Sequence, residues 1–157
     1  MKTIYLMCGL PGSGKSTWVK THKDSSDVWC SRDVVRNAMI DENEPYDRKR
    51  ENQVFDAWIN EIKEAIDNTL VKNIFVDATH PTTDSRLRVL SQLNLDDVEV
   101  IPVVMLTPAH VCFKRNEKRQ GRARVPDVAI MRMNERFIIP TDEEYNYKQI
   151  LFVPWQF

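Results

Sequence analysis

Close to its start the chain reads Gly9-Leu10-Pro11-Gly12-Ser13-Gly14-Lys15-Ser16: glycine, four residues, glycine, lysine and a hydroxyl residue. The apolar, β-prone run Thr3 to Cys8 precedes it and helix-forming sequence from Ser16 to Lys20 follows it, the context that the P-loop pattern requires. Glycines let successive backbone N–H groups turn inward around phosphate oxygens, a helix start adds its positive end, and a lysine adds a mobile cation. Gly12, Ser13, Gly14, Lys15, Ser16 and Thr17 are therefore the expected site for a nucleoside triphosphate, with the Ser16 hydroxyl as a magnesium ligand.

The rest of the chain alternates strand-like and helix-like segments. Val28 to Ser31 and the run Asn73 to Asp77 predict buried strands, as do Val98 to Leu106 and Ile150 to Val153. Between Arg50 and Leu70, Val54, Trp58, Ile62 and Ile66 recur every four residues beside Phe55 and Ile59, which predicts a long helix with one apolar, core-facing stripe. Pro81 to Leu90 predicts another helix, with Asp84, Arg86 and Arg88 on its wet side, and Pro108 to Glu117 and Asp127 to Phe137 predict two more. This alternation implies crossover connections and an α/β fold: a parallel sheet of about five strands, covered by helices on both faces. No repeat or linker interrupts it; only Asp41 to Pro45 reads as an exposed loop.

A chain of 157 residues is enough for one domain that buries roughly 70% of its unfolded surface. Hydrophobic residues at 42% and charged residues at 29% fit a soluble globular enzyme, and no apolar run has the length of a membrane span. Lys2 ahead of an apolar stretch resembles a signal peptide, but the stretch enters a glycine-rich loop with no cleavage site and reads as a buried strand. Cys8, Cys30 and Cys112 have no metal-ligand spacing and imply reduced, partly buried thiols and a cytoplasmic setting. The net charge of -1 argues neither for nor against a nucleic-acid partner.

Ser31-Arg32-Asp33 lies just past the second strand, where parallel sheets present their ligand-facing loops. Asp33 there is either a general base for an attacking hydroxyl or a cap for the next helix. Arg36, one turn later, either forks onto an acceptor phosphate or forms a surface salt bridge with Asp33. Asp77-Ala78-Thr79-His80 closes the third strand; Asp77 is placed to reach magnesium through water, Thr79 to touch the acceptor, and His80 reads as a loop histidine. Lys114 to Arg124 holds six cations and one acid in eleven residues around Gly121. With a phosphate site present, that run reads as a closing lid whose arginine stabilises the migrating group and whose closure excludes water. Arg115 and Arg119, four apart, are expected on one helical face.

Three stretches resemble the phage-type polynucleotide 5′-hydroxyl kinase domain, within the small adenylate-kinase-like P-loop kinases. They are Gly12-Ser13-Gly14-Lys15-Ser16-Thr17-Trp18, Arg32-Asp33 with Arg36, and Lys114-Arg115-Asn116 with Lys118-Arg119 and Val125-Pro126. The resemblance implies Lys15 and Ser16 as phosphate and magnesium ligands, Asp33 as base, Arg36 on the acceptor phosphate, and Arg119 on the donor phosphate with Arg115 near the nucleotide. Arg32 and Thr79 join Arg36 as acceptor contacts. It also implies strand order 2-3-1-4-5 under a helical lid at about residues 115–126, within one domain over 1–157. Asp77 departs from the family by standing one residue earlier than its aspartate, with Ala78 in that place, and the short chain implies no fused phosphatase. ATP with Mg2+ is the expected donor and a DNA or RNA 5′ end the expected acceptor. The alternatives are a small-molecule hydroxyl (nucleoside, antibiotic or sugar derivative) and a non-catalytic nucleotide switch. The aromatic tail Trp155-Gln156-Phe157 either covers the last strand or meets a partner.

Overall fold

The computed structural model describes residues 1–155. Five strands, β1 (Lys2–Cys8), β2 (Val28–Ser31), β3 (Asn73–Asp77), β4 (Val98–Met105) and β5 (Leu151–Val153), form one sheet in the order β2-β3-β1-β4-β5. All its pairings are parallel, as the sequence implied. Helices α1 (Lys15–His22), α2 (Arg32–Met39), α3 (Arg48–Asp67), α4 (Thr83–Leu90), α5 (Ala109–Glu117) and α6 (Asp127–Arg136) make the crossovers and the lid region. Central β1 is buried on both faces, which explains why Ile4, Leu6, Met7 and Cys8 read as a continuous apolar run.

One face of the sheet, carrying Ile4, Leu6, Ile74, Val76 and Val100, packs against Phe55, Trp58, Ile59 and Ile62 of α3. This is the predicted stripe, and each such aliphatic side chain removed from water contributes about 1.5–3 kcal/mol. Trp58 buries its one polar atom by donating from Nε1 to the Cys30 carbonyl at 2.9 Å. Asp47 accepts from Lys49 N at 2.9 Å and so starts α3 two residues earlier than periodicity alone suggested. On the other face Met7, Phe75 and Val103 pack with Val19 of α1, flanked by Tyr5, Trp18 and Trp29. Asp41 to Pro45 is exposed, as expected, and all three cysteines are free and buried. Among the described residues no helix is long and apolar enough to cross a membrane.

One residue departs from the sequence reading. Arg86, expected on the wet side of α4, is completely buried, whereas Asp84 and Arg88 are exposed. Its Nε and Nη2 donate to Glu144 at 2.8 and 2.7 Å, and its Nη1 donates to the His80 carbonyl at 2.8 Å. Glu144 also accepts from Thr83 Oγ1 at 2.8 Å and from the Tyr147 hydroxyl, so each guanidinium nitrogen of Arg86 and both carboxylate oxygens of Glu144 are hydrogen-bonded. A partner 58 residues away leaves no trace in helical periodicity. His80 does lie in the loop after β3, at a φ of 43°, but its ring is buried against Trp58 rather than free in the loop. Its Nδ1 donates to the Met7 carbonyl at 2.6 Å, and burial holds its pKa down to about 4, keeping the ring neutral.

Candidate active-site cleft

The loop between β1 and α1 takes the shape its glycines allow. Gly12 and Gly14 have φ values of 83° and 99°, and a Cβ on Gly12 would meet the Cys112 carbonyl at 3.0 Å. The loop is braced by the segment that follows β4, the neighbour of β1 in the sheet. Buried Thr107, just after β4, donates from Oγ1 to the Ser13 carbonyl at 2.7 Å, and Arg115 of α5 donates from Nη1 to the Gly12 carbonyl at 3.1 Å. Lys15 folds back on the loop, with Nζ donating to the Gly9 and Leu10 carbonyls at 3.0 and 2.9 Å. Burial lowers its pKa while the Asp77 and Asp33 charges oppose that shift. Ser16 and Thr17 are exposed at the start of α1.

Asp77 ends β3 on the face that carries α1, with only 6% of its surface exposed. Strand alternation sends Ala78 the other way, where it packs against the core under α3. Trp29 of β2 donates from Nε1 to Asp77 Oδ2 at 3.0 Å. Burial raises the Asp77 pKa, and Lys15 and the indole bond pull it back. The sequence carried no signal for Trp29 or Thr107, because each meets its partner only through the sheet.

At the opposite wall the cap of α2 is Ser31, whose Oγ accepts from Val34 N at 3.3 Å. Asp33 is thereby spared capping; its side chain, 86% exposed, accepts from Arg36 Nη1 at 2.6 Å. Arg36 is also forked by Glu51 of α3, with Nε at 2.9 and 3.2 Å from the two carboxylate oxygens and Nη2 at 3.1 Å. The Asp33 salt bridge weighed in the sequence is present, and Glu51 is a partner that the sequence did not reveal. Arg32 turns inward over the rings of Phe55 and Trp58, 5.4 and 5.9 Å from their centroids. Half-buried Thr79 lines the cleft, and its carbonyl accepts from Gly9 N at 3.0 Å, tying the strand end to the phosphate loop.

The basic run spans the top. Arg115 belongs to α5, but the helix ends at Glu117, so Arg119 leaves from the following turn and the two do not share one helical face as expected. Both nevertheless line the cleft. Fully buried Asn116 donates from Nδ2 to the Val125 carbonyl at 2.6 Å and accepts from Val125 N at 2.9 Å, clamping the two ends of the lid together. Arg122 crosses to α2, donating from Nη1 to the Ile40 carbonyl at 2.8 Å and Asn37 Oδ1 at 3.3 Å. The P-loop, Asp33, Asp77, Thr79 and the lid arginines thus enclose a single cleft of about 1030 Å³. Trp155 lines its far end, while the Gln156 and Phe157 part of the tail lies outside the described residues.

Among the described residues no group of three or more His, Cys, Asp or Glu side chains could hold a metal alone. Ser16 and Asp77, a hydroxyl and a carboxylate that both line the cleft, form a donor set that fits a magnesium ion carried largely by phosphate oxygens.

No curated protein sequence matches the chain. Solved structures do. The RNA repair complex of Pnkp1, Rnl and Hen1 superposes with a TM-score of 0.73 at 21% identity over 86% of this chain, which spans only 43% of the length of that one. A fungal RNA kinase gives 0.66 at 10% identity, covering 97% of this chain and 73% of the other. A sugar kinase from Janibacter sp. HTCC2649 gives 0.64 at 15% identity, covering 98% and 85%. At these identities the likeness is one of fold, that of the adenylate-kinase-like P-loop kinases. Residues 4–140 match the AAA domain family AAA_33, which takes in the phosphate loop, both cleft walls and the lid, and the chain belongs to that family.

Proposed function

We propose that residues 1–157 act as one cytoplasmic kinase domain that transfers the γ-phosphate of ATP, with Mg2+, to the 5′-hydroxyl of a DNA or RNA end. The observation that carries this reading is the shared cleft, in which an exposed carboxylate, Asp33, faces a P-loop beneath a roof of arginines. The bound magnesium would neutralise charge on the phosphates. Lys15 leaves the Gly9 and Leu10 carbonyls and contacts the outer phosphates, while Gly12, Ser13, Gly14 and Thr17 contribute the loop around them. Ser16 would hold the metal, with Asp77 available to it as an outer carboxylate. Asp33 orients the acceptor hydroxyl and takes its proton as the O–P bond forms, and Arg119 lies against the oxygens of the migrating group. Arg115 flanks the donor nucleotide, and Thr79 touches the acceptor.

The RNA kinase and the RNA repair complex among similar folds support a nucleic-acid acceptor. One feature favours a small-molecule acceptor instead: Arg122 of the lid bonds Asn37 and Ile40 and so ties the lid to the wall that carries Asp33. Labelled γ-phosphate transfer from ATP to a 5′-hydroxyl oligonucleotide, run beside the 5′-phosphorylated oligonucleotide and the Asp33→Asn protein, separates the two. Transfer requiring both the free hydroxyl and Asp33 is the expected result. Turnover confined to a panel of small hydroxylated metabolites would replace the polynucleotide reading with the second one.

A further inference from the structure

Peptide planarity decides which way a phosphate loop faces. In a trans peptide the C=O and the N–H of the next residue point in opposite directions, and no described peptide bond of this chain is cis. Each loop carbonyl that the protein holds on one side therefore fixes an N–H on the other. At the Gly12–Ser13 peptide that N–H is already spent: Arg115 Nη1 donates to the Gly12 carbonyl at 3.1 Å, and Ser13 N donates to the Leu10 carbonyl at 3.0 Å. The Ser13–Gly14 peptide is different. Thr107 Oγ1 donates to the Ser13 carbonyl at 2.7 Å, and the Gly14 N–H meets no acceptor among the described residues.

Thr107 stands two residues past the end of β4, the strand beside β1, and is only 8% exposed. A threonine hydroxyl carries one proton, and the Ser13 carbonyl takes it. Gly14 is the N-cap of α1, at a φ of 99°, and lines the cleft with Lys15. Glycine tolerates either orientation of the peptide before it, so the loop residues alone do not fix which way this one turns. Without the Thr107 hydroxyl the Ser13 carbonyl would lose its partner, and a rotated peptide would present an oxygen, not an N–H, to an anion.

We infer that Thr107 is a positioning residue for the phosphate loop: by holding the Ser13 carbonyl it aims the Gly14 N–H at the phosphate chain of the bound nucleotide. It acts through Gly14, not by contact with the ligand. This inference rests on the triphosphate-binding half of the reading above and is independent of the acceptor.

The test reads Gly14 directly. Gly14 alone among the glycines follows a serine, the others following Cys8, Pro11 and Gln120, so carbonyl-labelled serine combined with nitrogen-labelled glycine isolates its amide by NMR. In wild type, titration with MgATP or with tripolyphosphate should move this resonance downfield. Thr107→Val, close in shape but lacking the hydroxyl, should bind both ligands about 5- to 100-fold more weakly by calorimetry, the cost of an unpaired buried carbonyl, and should lose most of the Gly14 movement. Thr107→Ser should restore both. If Thr107→Val melts too low to titrate, Thr107→Ser against Thr107→Ala gives the same comparison, because those two differ only in the hydroxyl. The inference is overturned if the variant lacking the hydroxyl keeps either the wild-type affinity or the full Gly14 movement; full movement at reduced affinity would make Thr107 a direct ligand contact instead. Wild type that binds neither MgATP nor tripolyphosphate overturns the triphosphate reading and this inference together, whereas wild type that binds them with a loop indifferent to the hydroxyl overturns this inference alone.

Discussion

Trp29 Nε1 donates to Asp77 Oδ2 at 3.0 Å across the β2 and β3 pair, and so holds a nearly buried carboxylate beside Lys15. Burial makes the ionised form of Asp77 costly, and neither the indole nor Lys15 fully offsets that cost, so its pKa stands above the ordinary aspartate value. An acid whose pKa is raised on folding loses stability as pH rises past its unfolded value of about 3.9. Asp77→Asn keeps the acceptor for Trp29 and removes the charge. It is expected to melt higher than wild type at pH 7, with the gap closing below about pH 4, while kinase activity falls; a lower melting temperature at pH 7 would count against this account.

His80 follows the opposite sign. Its folded pKa of about 4 lies below the unfolded value of about 6.5, so the stability it contributes is complete above pH 6.5 and drains away as pH falls toward 4. Asparagine tolerates the left-handed backbone at this position and places a donor near Nδ1. Urea unfolding of His80→Asn between pH 7 and 4 should show a shallower loss of stability than wild type.

Glu144 is the sole carboxylate partner of fully buried Arg86 among the described residues. Removing one member of such a pair typically costs about 3–5 kcal/mol, because the other charge stays buried without compensation. Glu144→Ala should therefore lower the urea midpoint sharply, and truncation of both partners should cost less than the sum of the single changes.

Arg119, freed from α5 by the helix end at Glu117, carries the charge on the migrating phosphoryl group in the proposed reaction. Arg119→Ala is expected to reduce kcat by about 10³- to 10⁵-fold with melting temperature unchanged. Arg119→Lys should recover little, since a point cation does not reproduce the fork. Steady-state kinetics with ATP in excess check both.

The fold was legible because its signals are local. Apolar runs of strand length, the stripe from Val54 to Ile66 and the spacing of Gly9, Gly14 and Lys15 each follow from a few neighbouring residues. Lys15, Asp33, Asp77, Thr79, Arg115 and Arg119 were named from that local code, and the sheet brings all of them to one cleft. Glu51, Trp29 and Thr107 were not visible, because a hydrogen bond between distant residues leaves no period in the chain.

The sequence by itself determined the phosphate loop, the alternation of strands and helices that gives a parallel sheet, and the pool of charged residues available on either side. Only the tertiary structure decided how those charges are used. Packing of α3 against the sheet brings Glu51 to Arg36 and aromatic rings to Arg32, and the segment after α6 brings Glu144 to Arg86. Desolvation then acts on each group according to the partners it meets: Arg86 is a buried strut paired with Glu144, Arg36 is held between Asp33 and Glu51, and Arg32 lies over Phe55 and Trp58.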